Sequence, residues 1–402
     1  MTVAGCPNAA LPAKTPKLDL FPISQRILHM AAPNFTPPIR IGIIGAGAVS
    51  DYHHVPGIRL DSRCQLTAVC DENESLLAKR RTEWGIDFVT SNFEEVCSSD
   101  QVDAIIVATP NFTHLPICLS AARHGKHIMC EKPLGLSADE VRSMYHSARD
   151  AGVVHMTAFT YRFAPSMRYM RHLLKSGKLG DPRHFRSQRF LDWPESSWGW
   201  RQYKKTAGAG DLFDMTIHRI DFAIDLMGPL KSLCGAVAQF APRTTTKEGG
   251  TCPPSDVDDW SSLIGEFESG ATGVWEGTTL AKGYGRKGFG HEWAEINGSE
   301  MSAVYQLHLP NQILLGKTGE DLAPVDVPAE FKAPAGSPRD PMQGEPATVF
   351  RYDLMWEFIS AICERREAVP SFYDGLRAQV VADSVLRSHA ERRWIDIPAE
   401  PK

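Results

Sequence analysis

The sequence predicts an α/β protein in which a doubly wound parallel sheet precedes a second α/β domain with a large open, mostly antiparallel sheet. Short apolar runs alternate with amphipathic stretches from Ile39 to about Phe159. These runs are apolar almost throughout, which is typical of parallel strands covered by helices on both faces. After Phe159 several strand-like runs follow one another with short turns, a pattern that favours antiparallel pairing.

The first half contains five predicted strands and three predicted helices. The strands are expected at residues 39–45, 64–71, 102–110, 126–133 and 153–159, and the helices at 74–84, 114–124 and 138–151. We expect residues 1–38 to form an N-terminal extension, 39–160 a first domain and 161–402 a second domain. The last helix of the second domain is expected to return to the first.

The second half has a different order of predicted elements, because several strands follow one another and longer connections separate some of them. Helices are predicted at residues 165–176, 212–226, 350–365 and 375–390. Strands are predicted at 182–193, 234–240, 260–267, 271–276, 293–296 and 303–308. Residues 241–258 and 318–348 are rich in Pro, Gly and charge and are predicted to be surface loops.

The composition excludes several classes of partner. The 402 residues carry a net charge of −5, so no basic excess points to nucleic acid or an anionic membrane. No apolar run approaches the roughly 20 residues needed to cross a bilayer. The first 30 residues lack a basic segment followed by an apolar core, and the nine cysteines form no C-x-x-C motif. We therefore expect a cytoplasmic protein with free thiols and no metal site.

A glycine-spaced turn follows the first predicted strand. Gly45 would allow a tight turn, Gly47 would let the backbone approach a pyrophosphate, and the small Ser50 would allow close helix packing. Ala48 and Val49 would open the helix, whose free N–H groups favour phosphate. This pattern predicts dinucleotide binding, although a plain strand-to-helix turn would give similar residues.

Asp71 strengthens the dinucleotide interpretation. It ends the second predicted strand, where a carboxylate can bind the ribose hydroxyls of a dinucleotide. A carboxylate there repels a 2′-phosphate, so NAD is favoured over NADP. The alternative is a solvated aspartate that begins the next helix.

Lys132 follows an apolar strand in the sequence "CEKP". Ligands of doubly wound sheets lie at the carboxyl ends of the strands, and Pro133 is incompatible with a strand interior. A lysine there could stabilise negative charge on a substrate oxygen while a hydride leaves. The alternative is an ordinary surface lysine.

Asp214 and His218 are four residues apart in a predicted helix, so they share one face. An imidazole near neutral pKa can take a proton from an alcohol, and a carboxylate can orient it. The alternatives are a helix-face ion pair or a core histidine, with Asp221 as a structural partner. A metal site lacks an evident third ligand.

An aromatic stretch joins these two motifs. Aromatic rings can cover the C–H faces of a sugar while charged groups bind its hydroxyls, although aromatic residues also serve cores and subunit interfaces equally well. The residues concerned are Asp192, Trp193, Trp198, Trp200, Arg201 and Tyr203.

Together these motifs resemble the Gfo/Idh/MocA family, which comprises glucose–fructose oxidoreductase and inositol dehydrogenase. The resemblance covers about residues 39–397, and the combination of E-K-P with D-x-x-x-H is its most specific part. The tryptophan-rich residues 192–201 are most similar to the branch that contains glycoside 3-dehydrogenases. The matching segments are residues 45–50, Asp71, 109–114, 131–133, 161–165 and 208–222.

The resemblance implies an N-terminal Rossmann domain and NAD(P)-dependent oxidation of a sugar or polyol by a homodimer or homotetramer. It implies a catalytic trio of Lys132, Asp214 and His218. Thr216 departs from the family, which usually has glycine there. Cofactor contacts are implied for Thr109, Pro110, Asn111, His114, Glu131 and Lys132, and substrate contacts for Lys132, Tyr161, Arg162, Trp193, Trp200, Arg201, Asp214 and His218.

Three functions are compatible with these residues. The first is an NAD-dependent dehydrogenase that converts a secondary hydroxyl of a cyclic sugar, glycoside or inositol to a ketone. The second is redox-neutral glycoside cleavage or epimerisation with a tightly held NAD. The third is a non-catalytic NAD-binding sensor, which would need the glycine loop but not the proton-transfer residues.

Overall fold

The computed structural model describes residues 37–285 and 290–402. Within these ranges the strands form a six-stranded and a nine-stranded sheet, which confirms the predicted fold class. Almost all of the predicted extension, residues 1–38, lies outside the described residues, and the domain boundaries remain predictions. No helix in the described ranges is both long enough and apolar enough to cross a membrane.

The first sheet is wholly parallel and has the order β3-β2-β1-β4-β5-β6. The chain runs outward from β1 on one side and then on the other, so the carboxyl end of β1 is the point where ligands of doubly wound sheets bind. Its strands are β1 (Ile39–Ile44), β2 (Cys64–Cys70), β3 (Phe88–Thr90), β4 (Ala104–Val107), β5 (His127–Cys130) and β6 (His155–Thr157).

Five α-helices belong to the same part of the chain: α1 (Val55–Leu60), α2 (Glu74–Trp84), α3 (Phe93–Ser98), α4 (His114–Arg123) and α5 (Ala138–Asp150). The helix that follows β1 begins at Ala48 and contains a π turn, Ser50–His54, before α1. The predicted strands and helices are all present, α2 with the predicted bounds and the others with shorter ends. The helix predicted after the glycine loop is the one that ends in α1. The sequence analysis missed β3 and α3, because each is short.

The second sheet has the order β14-β13-β12-β11-β7-β10-β9-β8-β15 and is antiparallel except for the pair β7–β10. Its strands are β7 (Pro182–Phe190), β8 (Leu230–Ala238), β9 (Trp260–Phe267), β10 (Thr272–Thr278), β11 (His291–Gly298), β12 (Met301–Gln306), β13 (Gln312–Lys317), β14 (Ala323–Asp326) and β15 (Ile395–Asp396). Leu263 and Phe267 point into the core, whereas Ile264 between them is exposed on the other face. One face is therefore buried under helices and the other is open.

The helices of the second part are α6 (Pro165–Lys175), α7 (Lys204–Ala207), α8 (Ile217–Met227), α9 (Ala329–Lys332), α10 (Pro346–Val349), α11 (Asp353–Glu364) and α12 (Phe372–Glu391). A π turn, Leu212–Thr216, precedes α8 without a break. The prediction of one long loop over 318–348 was wrong, since it contains β14, α9 and the start of α10. The strand β13 was also missed.

Helix α12 returns to the first sheet. The backbone N–H of Ala138 donates to Asp383 Oδ2 at 2.7 Å, and Gly375 lies against Leu134 and Thr157. A side chain at position 375 would collide with Leu134, so glycine allows the close approach. The two parts of the chain are therefore joined by direct packing as well as by the connection after β6.

Candidate active site

A cavity of about 970 Å³ lies between the carboxyl edge of the first sheet and the second part of the chain. The glycine loop lines one end. The other end, called the interdomain end, is lined by Glu131, Lys132, Tyr161, Trp193, Trp198, Trp200, Arg201, Asp214, His218, Lys247 and Arg351.

Gly45 forms the turn that opens the cavity. Its φ of +102° belongs to the region that favours glycine, and a Cβ there would collide with the carbonyl oxygen of Ala108. The hydroxyl of Ser50 donates to the Gly45 carbonyl oxygen at 2.6 Å. Ser50 thus holds the turn from the following helix, a role beyond being small enough to pack.

Gly47 has a different reason to be glycine. A Cβ at this position would meet no protein atom within 4 Å, so the fold itself does not require the absence of a side chain. Gly47, Ala48 and Val49 line the cavity at the start of a helix, where free N–H groups attract phosphate. An open cradle at a helix N-terminus fits a dinucleotide pyrophosphate.

Asp71 is fixed at the end of β2 by two backbone groups. Its Oδ2 accepts from Ala46 N–H at 2.8 Å, and its Oδ1 accepts from Asn73 N–H at 2.9 Å. The carboxylate also lines the cavity, so it can meet a ribose beside the glycine loop. The same side chain therefore links the loop to the strand that follows.

The segment after β4 supplies Thr109, Pro110 and Asn111 to the cavity lining. His114 is not part of the lining, although a cofactor contact was predicted for it. Its ring is fully buried, with Nδ1 3.0 Å from the Pro133 oxygen and Nε2 2.9 Å from the Thr109 oxygen. His114 therefore braces the two loops that carry cavity residues, and a direct contact with the cofactor is not supported.

Glu131 lies beside the π turn of the first helix. Its Oε1 is 3.0 Å from His54 Nε2. Burial opposes ionisation, but the hydrogen bond from His54 and the charge of Lys132 outweigh it and lower the pKa of Glu131. An ionised carboxylate therefore lines the cavity immediately before Lys132.

Lys132 and Asp214 meet across the cavity. Lys132 Nζ donates to the backbone oxygen of Asp214 at 2.5 Å and to Asp214 Oδ1 at 2.9 Å. Burial raises the pKa of Asp214, but Lys132 and Arg201 outweigh this and the net pKa lies below its usual value. An ammonium held by a carboxylate is thus directed into the interdomain end.

His218 lies behind this pair on α8. Its ring packs edge-on against Tyr161, with centroids 4.6 Å apart, and only 6% of the residue is exposed. Burial lowers the pKa of His218 well below its usual value, and Lys132 and Arg189 lower it further. A neutral imidazole at physiological pH can accept a proton, which is what a general base needs.

Thr216 lies at the position where the family that the sequence resembles usually has glycine. It is fully buried and faces the sheet, away from the cavity lining. Its hydroxyl donates to Asp211 Oδ2 at 2.9 Å and accepts from Ser261 and Arg219. The additional hydroxyl is thus satisfied in a polar network beneath α8 and leaves the Asp214–His218 face unobstructed.

The aromatic stretch covers the interdomain end. Trp193, Trp198, Trp200 and Arg201 line the cavity, with Trp193 edge-on to Trp198 at 4.9 Å. The Arg201 guanidinium stacks on Trp200 at 4.4 Å, and its Nε lies 4.0 Å from Asp214 Oδ2. Tyr203 is outside the lining, and its hydroxyl donates to Pro253 O at 3.1 Å.

The prediction that Arg162 contacts substrate is contradicted by its position. Its guanidinium is 4% exposed, does not line the cavity, and binds Asp221 at 2.5 Å, Asp374 at 3.1 Å and Asp225 at 3.3 Å. Tyr161, its neighbour, does line the cavity. Adjacent residues of one 3₁₀ turn, Thr160–Phe163, thus face the cavity and a buried ion cluster, respectively.

The sequence analysis missed several residues of the cavity lining, among them Tyr52, His53, Lys247 and Arg351. Tyr52 and His53 come from the π turn after the glycine loop, and their proximity to the loop was the available signal. Lys247 comes from the predicted loop 241–258, and Arg351 from the 3₁₀ turn Phe350–Tyr352. No sequence signal marked the last two, because only the tertiary fold brings them to the cavity.

No group of three or more His, Cys, Asp or Glu side chains suited to a metal ion occurs among the described residues.

Two family models match the chain. Residues 39–159 match the oxidoreductase family with an NAD-binding Rossmann fold, and residues 167–304 match the GFO/IDH/MocA C-terminal domain. The chain belongs to the Gfo/Idh/MocA family of oxidoreductases. The family prediction and the prediction of an NAD-binding Rossmann domain are therefore confirmed.

Individual members of the family align along most of the chain. Levoglucosan dehydrogenase of Pseudarthrobacter phenanthrenivorans is 28% identical over 390 residues, covering 90% of this chain and 98% of that protein. Inositol 2-dehydrogenase of Rhizobium meliloti is 27% identical, covering 89% and 99%. A solved structure of levoglucosan dehydrogenase with NADH and levoglucosan superposes with a TM-score of 0.82 at 27% identity, covering 90% of this chain and 100% of that one.

Proposed function

We propose that this protein is an NAD-dependent dehydrogenase that converts a secondary hydroxyl of a cyclic sugar, glycoside or inositol to a ketone. The observation that carries the proposal is the contact of Lys132 with Asp214 beside His218, in a cavity continuous with the glycine loop. The activities in the names of levoglucosan dehydrogenase and inositol 2-dehydrogenase support the substrate class. When bound, NAD supplies the hydride acceptor.

His218 is the proposed general base. It lines the cavity, and its low pKa keeps the ring neutral and able to take the hydroxyl proton. The edge-on contact with Tyr161 fixes the plane of the ring. Proton removal raises electron density on the substrate oxygen, which favours departure of hydride from the same carbon.

Lys132 is the proposed stabiliser of that oxygen. Its ammonium is held by two oxygen atoms of Asp214, which fix its position before substrate arrives. Preorganised positive charge stabilises a developing alkoxide more than a group that must first reorient. Asp214 thus acts by positioning Lys132.

Sugar contacts are proposed for Tyr161, Trp193, Trp200 and Arg201. The tryptophan rings suit the C–H faces of a pyranose, and the exposed guanidinium of Arg201 can bind hydroxyls. For the cofactor, we propose Gly45, Gly47, Ala48, Val49, Asp71, Thr109, Pro110, Asn111, Glu131 and Lys132, all of which line the cavity.

We also propose that the protein is cytoplasmic and forms a homodimer or homotetramer. The eight cysteines in the described ranges are free thiols, which supports a reducing compartment. The open face of the nine-stranded sheet carries the partly exposed Ile264 and Val274, which supports burial of that face by another subunit.

The test is incubation of the purified protein with NAD⁺ and a panel of pyranoses, anhydrosugars, glycosides and inositols. NADH is followed by absorbance and sugar products by chromatography in the same samples. We expect NADH and keto sugar in equal amounts. Product without NADH would indicate the redox-neutral reaction. NAD binding with neither product, both with this panel and with sugars that carry a carboxylate or phosphate, would indicate a sensor.

A further inference from the structure

Positive charge exceeds negative charge at the interdomain end of the cavity. Four cationic side chains and two carboxylates line this end, and Asp214 is already engaged by Lys132 and Arg201, and Glu131 by His54. The net charge of these six side chains is +2, four positive charges less two negative ones. The cations are Lys132, Arg201, Lys247 and Arg351. Two positive charges are thus left without a counterpart among the described residues of the lining.

Arg351 is the best placed of these cations. Its Nη2 lies 3.4 Å from the Tyr161 hydroxyl, and its guanidinium lies 5.1 Å from the centre of the Tyr161 ring. Tyr161 in turn contacts His218, so Arg351 is one side chain away from the proposed base. Within the described ranges Arg351 has no carboxylate partner, and its buried Nε has no hydrogen-bond partner.

Lys247 approaches the same end from another direction. It belongs to the segment between Thr245 and Thr251, which pair as an isolated bridge, and Ser197 N–H donates to the Thr245 oxygen at 2.8 Å. That bond fixes the segment on the aromatic stretch, next to Trp198. Lys247 forms no ion pair with a carboxylate of the described residues. Its ammonium thus adds unpaired charge at the cavity wall.

We propose that the substrate is an anionic sugar, whose carboxylate or phosphate group is bound by Arg351 with support from Lys247. This inference rests on the proposed dehydrogenase function and names the substrate class. A planar guanidinium without a carboxylate partner suits an oxyanion, because its N–H groups match two oxygen atoms at once. Neutral hydroxyls alone would leave the partly buried Arg351 guanidinium without a counter-charge, whereas the exposed Lys247 ammonium is solvated.

A bound anion would also change the effect of Arg351 on the proposed base, His218. Burial is the main cause of the low pKa of His218, and Lys132, Arg189 and the Arg351 guanidinium lower that pKa further, which weakens the imidazole as a proton acceptor. A substrate oxyanion on Arg351 would offset that charge when the sugar binds. Arg351 would then bind the anionic group of the substrate, and His218 would accept a proton from a hydroxyl of the same substrate.

The experiment compares three matched sugars with the purified full chain and NAD⁺: a methyl hexoside, the corresponding methyl hexuronide, and the corresponding methyl hexoside 6-phosphate. We expect kcat/KM for at least one anionic sugar to exceed that for the hexoside by about tenfold or more, the size of one hydrogen bond to a charged group. The carboxylate and phosphate arms identify which anion is preferred. The preference should shrink at high ionic strength.

Arg351→Gln is the decisive variant, and Arg149→Gln, on an exposed arginine at the end of α5, is its matched control. We expect the ratio of anionic to neutral kcat/KM to fall about tenfold or more in Arg351→Gln and to stay unchanged in Arg149→Gln. A neutral sugar preferred by the wild type, with a ratio unaltered in Arg351→Gln, overturns the inference and leaves the dehydrogenase intact.

Binding separates this inference from the proposed function. Calorimetric titration of the methyl hexuronide and the methyl hexoside 6-phosphate into the protein with NADH needs no turnover. If no sugar yields NADH while an anionic sugar binds and Arg351→Gln weakens that binding tenfold, the anion site stands and the dehydrogenase function fails. Binding of neither anion overturns the anion site whatever the activity.

Discussion

Lys132 Nζ contacts Asp214 twice, through the backbone oxygen at 2.5 Å and Oδ1 at 2.9 Å. Lys132 follows β5 of the first sheet, and Asp214 lies in the π turn before α8. The contact therefore bridges the NAD-binding domain and the second part of the chain. The proposed chemical centre is assembled only when the two parts are packed together.

Replacing Lys132 tests its proposed role directly. We expect Lys132→Met to lower kcat by about 10²–10³-fold, the usual loss for one preorganised donor at a developing oxyanion. NAD binding, measured by calorimetry, should weaken by less than kcat falls, since Lys132 is one of ten proposed cofactor contacts and the glycine loop and Asp71 are unaltered. Lys79→Met, on an exposed face of α2, is the control. Activity retained in Lys132→Met would exclude Lys132 from the chemistry.

The pKa of His218 predicts the acid limb of the pH profile. A base works in its deprotonated form, so activity is lost only as pH falls through its pKa. Burial and nearby cations place that pKa well below the ordinary value of 6.5. We expect kcat/KM to stay constant from pH 8 to 6.5 and to decline only at lower pH. An acid limb centred near pH 7 would contradict the assignment.

Replacing His218 tests the same assignment by substitution. We expect His218→Asn to lower kcat/KM by about 10²–10⁴-fold, the usual contribution of a general base.

The motifs that follow strands were predictable from the sequence, because the residues of each motif are neighbours in the chain. Gly45, Asp71 and Lys132 each end a buried strand, and parallel strands bring their carboxyl ends to one edge. Asp214 and His218 were predictable because helical spacing alone places them on one face. These five residues line one cavity in the structure.

Charged residues whose roles depend on distant partners were not predictable. Arg162 follows Tyr161 in a family motif, yet its partners come from α8 and the start of α12. Arg351 carries no motif and reaches the cavity only because α10 and α11 hold its turn against Tyr161. In the short 3₁₀ turn Thr160–Phe163, spacing along the sequence does not show which of the adjacent Tyr161 and Arg162 side chains faces the cavity.

Gly45 and Gly47 should respond in opposite ways to alanine. Gly45→Ala forces a side chain into the Ala108 carbonyl at positive φ, so we expect a loss of folding stability. Gly47→Ala meets no protein atom, so its unfolding midpoint should stay near that of the wild type while NAD affinity falls at least tenfold. Denaturant unfolding and NAD titration measure the two effects. Unchanged NAD affinity in Gly47→Ala would argue against a pyrophosphate at this loop.

Asp71→Asn should relax the preference for NAD. The amide keeps an oxygen that can accept from Ala46 N–H and loses only the exposed bond from Asn73 N–H, while the negative charge that repels a 2′-phosphate disappears. We expect the ratio of kcat/KM for NAD over NADP to fall about tenfold or more, with little loss of stability. Asp87→Asn, at an exposed position after α2, should leave the ratio unchanged. An unaltered ratio in Asp71→Asn would show that another residue sets the cofactor preference.

Arg162 should prove structural when it is replaced. Its guanidinium is the shared partner of Asp221, Asp225 and Asp374, and burial raises the pKa of Asp221 to about 7 even with the arginine present. Arg162→Ala leaves buried carboxylates uncompensated, so we expect the free energy of unfolding to fall by about 3–5 kcal/mol.

Arg162→Lys keeps one positive charge but not the fork that reaches three carboxylates, so its loss of stability should be smaller. Denaturant unfolding of Arg162→Ala and Arg162→Lys measures which variant loses more stability. Arg149→Ala is the exposed control. Because Arg162 does not line the cavity, the KM for sugar should stay near the wild-type value in Arg162→Lys. A variant with wild-type stability and a strongly raised KM for sugar would show instead that Arg162 contacts the substrate. Disruption of the buried ion cluster would raise KM only together with a loss of stability.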